Sequence, residues 1–171
     1  MSGSPRPAPP LDLPDTAGER HSLAPGAVSV VVWTCNHCPY ALAWHDRLVD
    51  VAGDYADRGV GTFMVNSNDG ERYPADSIDS MRDRVQREGW TVPYLWDEDQ
   101  ATARAWGAKT TPHVYVVDAE GNIAYEGAPD ADHMDPSLRA GWLREALDAA
   151  LDGRAPSRDT QPVGCSLKWK S

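Results

Sequence analysis

Stretches rich in β-branched residues alternate along this chain with stretches whose apolar residues recur at helical spacing. Val28-Ser29-Val30-Val31-Val32-Trp33 predicts a core strand, since a nearly unbroken apolar run suits a strand covered on both faces. The segment from Pro39 to Tyr55 follows, with Leu42, Trp44, Leu48, Val49, Ala52 and Tyr55 around most of a helical cylinder. Its proline stands near the first turn, where a missing N–H costs least. Gly59 and Gly61 end that helix, and Thr62-Phe63-Met64-Val65 predicts a second buried strand. Strand, helix and strand make a β-α-β unit, which requires parallel strands and favours a right-handed crossover. The polar run Asn66-Ser67-Asn68-Asp69-Gly70 then leaves the carboxyl end of the second strand, the edge where ligand-facing loops of open α/β sheets lie.

The remaining elements follow the same alternation. Leu11 to Gly18 and Glu19 to Leu23 read as a small hairpin ahead of the core strand. Ile78, Met81 and Val85 mark a helix from Ser77 to Glu88, stopped by Gly89, and Val92 to Trp96 is a short extended piece. Asp97 is placed to cap a helix that runs through Trp106 and closes at Gly107. Thr110-Thr111-Pro112 leads into the strand His113 to Val117, which a turn at Asp118 to Asn122 joins to Ile123 to Tyr125 as an antiparallel hairpin. Asp135 as cap and Pro136 at the first position predict the start of a last helix. Its stripe is Leu138, Trp142, Leu143, Leu147, Ala150 and Leu151, and Gly153 ends it. The organisation read from this is a disordered leader over 1–10, one α/β domain over 11–153 with a mixed sheet, and a polar tail over 154–171.

Composition narrows the function. A chain of 171 residues with 41% hydrophobic content can bury one core, and none of its apolar runs approaches the ~20 residues of a membrane span. The formal charge of -10 argues against nucleic acid and anionic lipid as partners. The leader lacks the apolar stretch of a secretory signal, so the expected location is cytoplasmic. Three cysteines in such a chain do not read as a disulfide scaffold.

Two of those cysteines carry the candidate chemistry. In Trp33-Thr34-Cys35-Asn36-His37-Cys38-Pro39 a strand delivers two thiols to the first turn of a helix. Unpaired backbone N–H groups and the positive end of the helix dipole favour a thiolate there. The spacing allows a disulfide across the turn, so the pair can store and release two electrons. On this reading Cys35 is the low-pKa nucleophile, Cys38 resolves the mixed disulfide, and His37 between them stabilises the thiolate. Trp33, Thr111, His113, Asn66 and Asn68 are the candidate substrate contacts; with Ser67 and Asp69, the two asparagines either line the rim of the site or form an Asx-type turn. His45 reads as a hydrogen-bonded core residue, and Cys165 as a free or buried thiol unless the tail folds back over the site. A zinc site wants four ligands, and the chain has no second C-x-x-C, so no metal and no bound cofactor is expected. A metal-binding module built on the Cys/His cluster stands as a separate alternative.

The order strand, C-x-x-C, helix, strand, inserted helical segment, Thr-Pro, hairpin and final helix resembles the thioredoxin fold. The motif Cys35-Asn36-His37-Cys38-Pro39-Tyr40, the Asn66-Ser67-Asn68-Asp69 loop and the tail Gly164-Cys165-Ser166-Leu167-Lys168-Trp169-Lys170 resemble the redoxin branch. That branch groups alkyl hydroperoxide reductase and thiol-specific antioxidant proteins, and within it the similarity is to the peroxiredoxin-like thioredoxin-family proteins. The resemblance covers Leu11 to Lys170. It implies a thioredoxin-like domain with a central mixed sheet flanked by helices. It also implies a cis-proline at Pro112 facing the thiols and receiving the substrate chain. The implied activity is thiol-disulfide exchange with a protein or small-molecule disulfide, recharged by a thiol reductant such as thioredoxin or thioredoxin reductase, with peroxidase activity as the alternative. Two departures stand out. The peroxidase threonine and proline positions hold Cys35 and Val31 or Val32. The buried acid of thioredoxins, six residues before the first cysteine, is replaced by Ser29, so a proton acceptor must come from elsewhere.

Overall fold

The computed structural model describes residues 5–155 and 158–171. In chain order the elements are β1 (Asp12–Pro14), β2 (Arg20–Ser22), β3 (Ser29–Trp33), α1 (Pro39–Ala56), β4 (Gly61–Asn66), a 3-10 turn (Pro74–Asp76) and α2 (Ile78–Glu88). Then come β5 (Tyr94–Trp96), α3 (Ala101–Trp106), β6 (Thr110–Thr111), β7 (His113–Val117), β8 (Ile123–Gly127), α4 (Gly141–Leu151) and β9 (Cys165–Ser166). The central sheet has the order β5-β4-β3-β7-β8. β3, β4 and β5 are parallel, whereas β7 and β8 run antiparallel to their neighbours. The α/β class and the mixed sheet are therefore those the alternation predicts.

β3 lies at the centre, and all five of its residues are buried. Its side chains divide by the pleat. Val30 and Val32 join Trp44, Leu48 and Val51 of α1 and Leu143 and Leu147 of α4 in one core. Val31 and Trp33 face the other way, into a second core with Leu11, Leu13, Ala103, Trp106 and Leu167. Helices thus cover one face, while α3 and both chain ends cover the other. On α1 the apolar residues do not all turn inward. Leu42 stays 44% exposed, and Ala41, Trp44, Leu48, Val51, Ala52 and Tyr55 make the buried stripe.

Both chain ends depart from the sequence reading. Residues 1–4 of the predicted disordered leader lie outside the described residues, but the rest is tied down. Ala8 N donates to the Gly121 carbonyl at 2.9 Å, Ile123 N to the Arg6 carbonyl at 2.7 Å, and the Arg6 guanidinium to Asp159 at 2.8 Å. The tail is not a free polar end either, because Leu167 is buried and β9 pairs with β6. The α3 cap is shared. Gln100 holds the cap position, and the Asp97 carboxylate accepts from Thr102 N and Ala103 N.

The last helix begins at Gly141, six residues after the predicted cap at Asp135. Asp135 Oδ1 instead accepts from Ser137 N at 3.0 Å in a local turn. The Arg47 guanidinium, reaching across from α1, donates to the carbonyls of Asp132, His133 and Asp135. That guanidinium is paired with buried Asp130 at 2.9 Å, and the same carboxylate accepts from Trp44 Nε1 at 2.8 Å and from Ala140 N at 2.9 Å. Asp130→Ala would strand the Arg47 charge and the Trp44 N–H together, at a cost of about 3–5 kcal/mol. Urea unfolding of the variant should show that loss; a change below about 1 kcal/mol would contradict the part given to this pair.

Candidate functional site

β3 ends at Trp33, and Thr34 N donates to the Val65 carbonyl at 2.8 Å, which carries the backbone off the sheet edge. Cys38 is the N-cap of α1, with Pro39 behind it. This places the second thiol at the helix end and the first within reach. Cys38 N donates to Cys35 Sγ at 3.3 Å. Thr111 stands opposite, on the short strand before the cis Thr111–Pro112 bond. Cys35 Sγ lies 3.3 Å from Thr111 Oγ1, and the Cys38 thiol donates to the Thr111 carbonyl at 3.1 Å. All three cysteines are free thiols, and Cys35 and Cys38 are both 0% exposed.

The two thiols titrate as one unit. Their mutual interaction draws Cys38 down, helped by Cys165 and by the Ala41 N–H at the helix end. It holds Cys35 far above the ordinary thiol range, with burial and the Asp76 charge acting in the same sense. The contacts of the two sulfurs differ: Cys35 Sγ accepts from the Cys38 N–H, whereas the Cys38 thiol donates to the Thr111 carbonyl. Cys35 also lies close to a buried carboxylate.

That carboxylate, Asp76, is the residue of the site that the sequence did not reveal. It sits 0% exposed at the end of the 3-10 turn. It accepts from Asn36 N at 2.6 Å, Asn66 Nδ2 at 3.1 Å and Asn68 Nδ2 at 3.0 Å. His37 Nδ1 lies against its other side, with the imidazole stacked on Tyr73. His37 is thus turned toward the acid by its ring nitrogen, and only its backbone N–H eases ionisation of Cys35. Cys35 Sγ, His37 and Asp76 place three metal-type ligand atoms within 4.8 Å of one another, but three amide N–H groups already occupy the carboxylate. Asn36 is held from three sides. It accepts from Tyr94 OH at 2.7 Å and from Arg84 at 2.9 Å, and it donates to the Ala75 carbonyl at 2.8 Å. Arg84 also donates to the Cys35 carbonyl at 3.1 Å, so α2 fixes the motif from behind.

Several candidate substrate contacts take other positions. Trp33 is sealed in the second core, donating Nε1 to Ser67 Oγ at 2.9 Å, and cannot touch a substrate. Asn66 and Asn68 are buried supports of Asp76 rather than rim residues. Asn68 Oδ1 accepts from Lys168 N at 2.8 Å, which ties this loop to the tail. His113 is buried and points away from the thiols. Its Nδ1 accepts from Lys109 N and its Nε2 meets Glu126 at 3.1 Å on the neighbouring strand. His45 is buried on Trp90, 3.8 Å from Glu88, and burial lowers its pKa. Thr111 is the predicted contact that the fold does bring to the sulfurs, with Pro112 beside it.

Residues 2–141 match the sequence profile of the Redoxin family. A thiol:disulfide interchange protein DsbE from Allochromatium vinosum is 28% identical over 127 residues, covering 71% of this chain and 64% of that protein. An uncharacterised conserved protein from Geobacillus kaustophilus is 36% identical, with a TM-score of 0.91 over 99% of this chain and 94% of its own. A hypothetical protein from Sinorhizobium meliloti 1021 is 30% identical, with a TM-score of 0.90 over 100% of this chain and 97% of its own. A putative thioredoxin from Neisseria meningitidis, 24% identical, shares the fold with a TM-score of 0.69, covering 87% of this chain and 92% of its own.

The coupling of the two thiols gives a direct test. In the reduced protein the first ultraviolet thiolate step should fall below the ordinary thiol value, and Cys35→Ser or Cys38→Ser, by removing the partner, should move it back up. A first step near the ordinary thiol value of roughly 8.5 would contradict it.

Proposed function

The chain belongs to the Redoxin family, and on that footing we propose that it is a thiol-disulfide oxidoreductase whose working unit is Cys35, Cys38 and the Thr111–Pro112 segment. One observation carries this reading: two free thiols meet at a helix N-terminus, the Cys38 N–H donating to Cys35 Sγ, with a single threonine contacting both sulfurs. Such a pair exists in two covalent states that differ by two electrons and two protons. The interchange protein among its relatives supports the same chemistry.

In the net exchange a substrate disulfide is reduced through a mixed disulfide to two thiols, and the pair closes as Cys35–Cys38. For direct attack by the pair the roles are those read from sequence, Cys35 attacking and Cys38 resolving. Either order requires Cys35 to lose its proton. Asp76 is the buried acid nearest to it, and it fills the function that Ser29 leaves empty. A thioredoxin-type reductant would return the disulfide to the dithiol.

Insulin reduction in the presence of dithiothreitol should proceed well above background, and Cys35→Ser or Cys38→Ser should lower the rate by at least about a hundredfold. Background rates for the wild-type chain, or full rates for either serine variant, would end the proposal. Asp76→Asn removes the negative charge that holds Cys35 up, so the rising limb of the pH–rate profile, which needs Cys35 ionised, should move to lower pH. A limb that stays in place would show that the Asp76 charge does not act on Cys35.

A further inference from the structure

The tail brings a third thiol to this site. Cys165 is paired with Thr111 in the antiparallel β6–β9 ladder and packs against the cluster of Cys35, Cys38 and Ala41. Three thiols thus share one cluster, Cys35, Cys38 and Cys165. The three differ in access: Cys35 and Cys38 are sealed, whereas Cys165 is partly exposed.

The docking of this segment is built in. Gly164 runs so close to the Thr111 carbonyl that any Cβ would overlap it. Leu167 N donates to the Lys109 carbonyl at 3.0 Å, Asp69 N to the Lys168 carbonyl at 2.9 Å, and Lys170 N to Gln100 Oε1 at 2.9 Å. The Gln100 amide donates to the carbonyls of Ser67 and Lys168 at 2.7 and 2.9 Å. Residues on both sides of Cys165 are thus fixed to the loop and strands that frame the thiols.

We infer that Cys165 is a third redox thiol, which trades disulfide partner with Cys38 and carries exchange between the sealed pair and solutes. This deepens the oxidoreductase reading and rests on it. The Cys165 thiolate attacks one sulfur of an external disulfide; that S–S bond breaks, a Cys165–substrate bond forms, and one substrate thiolate leaves and takes up a proton. Cys38 thiolate attacks Cys165 Sγ, forming Cys38–Cys165 and releasing the second substrate thiolate. Cys35 attacks Cys38 Sγ, closing Cys35–Cys38, and Cys165 leaves as thiolate and recovers the proton that Cys35 gave up. In sum one disulfide is reduced to two thiols and one protein dithiol is oxidised. Burial and the neighbouring Cys38 hold the Cys165 thiol up, so its ionised fraction limits the first step, and its contact with the sealed pair speeds the second.

The test oxidises full-length Cys35→Ser with glutathione disulfide, blocks remaining thiols in acid, and maps linkages by mass spectrometry. The expected product has lost two hydrogens and yields one linked peptide joining Cys38 to Cys165. Adding Gly164→Val, which expels the tail from Thr111, should reduce that link at least about tenfold in favour of glutathione adducts. In a second arm Cys165→Ser should still form Cys35–Cys38, but at least about tenfold more slowly than wild type. Glutathione adducts or intermolecular dimers without a Cys38–Cys165 peptide would overturn the inference, as would an unchanged rate in Cys165→Ser. If Cys35→Ser does not fold, Cys35→Ala answers the same question. Should wild type itself form no Cys35–Cys38 bond, the oxidoreductase reading has failed rather than the part given to Cys165.

Discussion

Thr111 is the residue on which the site turns. Its hydroxyl meets Cys35, its carbonyl meets Cys38, and its backbone pairs with Cys165. Three sulfurs are therefore located by one residue, and the strand it belongs to is set by the pairing of β7 with β3 immediately after Pro112. Because β3 also ends in the C-x-x-C turn, both sides of the site hang from the same central strand. Trp33, paired with His113 and packed against Trp106 and Tyr115, keeps those two strands in register where the thiols begin. Its size serves the core directly beneath the chemistry.

Behind the sulfurs lies a buried polar network rather than more core. Asp76 gathers the amides of Asn36, Asn66 and Asn68, while Arg84 and Tyr94 hold the side chain of Asn36. Buried polar groups are tolerated only when they are satisfied, and a satisfied network specifies one geometry. Here the geometry it specifies is the turn that carries Cys35. The network also acts electrostatically, because it fixes a buried carboxylate near Cys35. The Asn68–Lys168 and Gln100–Lys170 hydrogen bonds extend it to the tail, so the same loop supports the acid and the third thiol.

The elements legible in the sequence are those written in contiguous residues. β3, the C-x-x-C turn, α1 and the β7–β8 hairpin each carry a local pattern of period, proline or turn residues, and each lies where that pattern puts it. What the sequence hid depends on residues far apart in the chain. Asp76 sits in a short turn without periodicity, and only folding brings it beneath Cys35. β9 is two residues long, too short for any strand signal, and its docking depends on Gly164, whose value appears only against the Thr111 carbonyl. Asp135-Pro136 carries a real helix-start signature, yet Arg47 reaches across from α1 to take the carbonyls that a helix there would use. Nothing local distinguishes Asn66 and Asn68 as rim residues from Asn66 and Asn68 as an Asx turn; the turn forms, and both side chains also donate to a buried acid.

The account stands on the reversibility of one bond between two sealed sulfurs. Equilibrating the wild-type chain in graded ratios of reduced to oxidised dithiothreitol or glutathione, with acid trapping and mass mapping, measures it most directly. A single reversible Cys35–Cys38 transition is predicted, with a two-electron slope of about 30 mV per tenfold change in ratio. Thiols that remain reduced across the whole series, or a linkage that excludes one of these two cysteines, would contradict it.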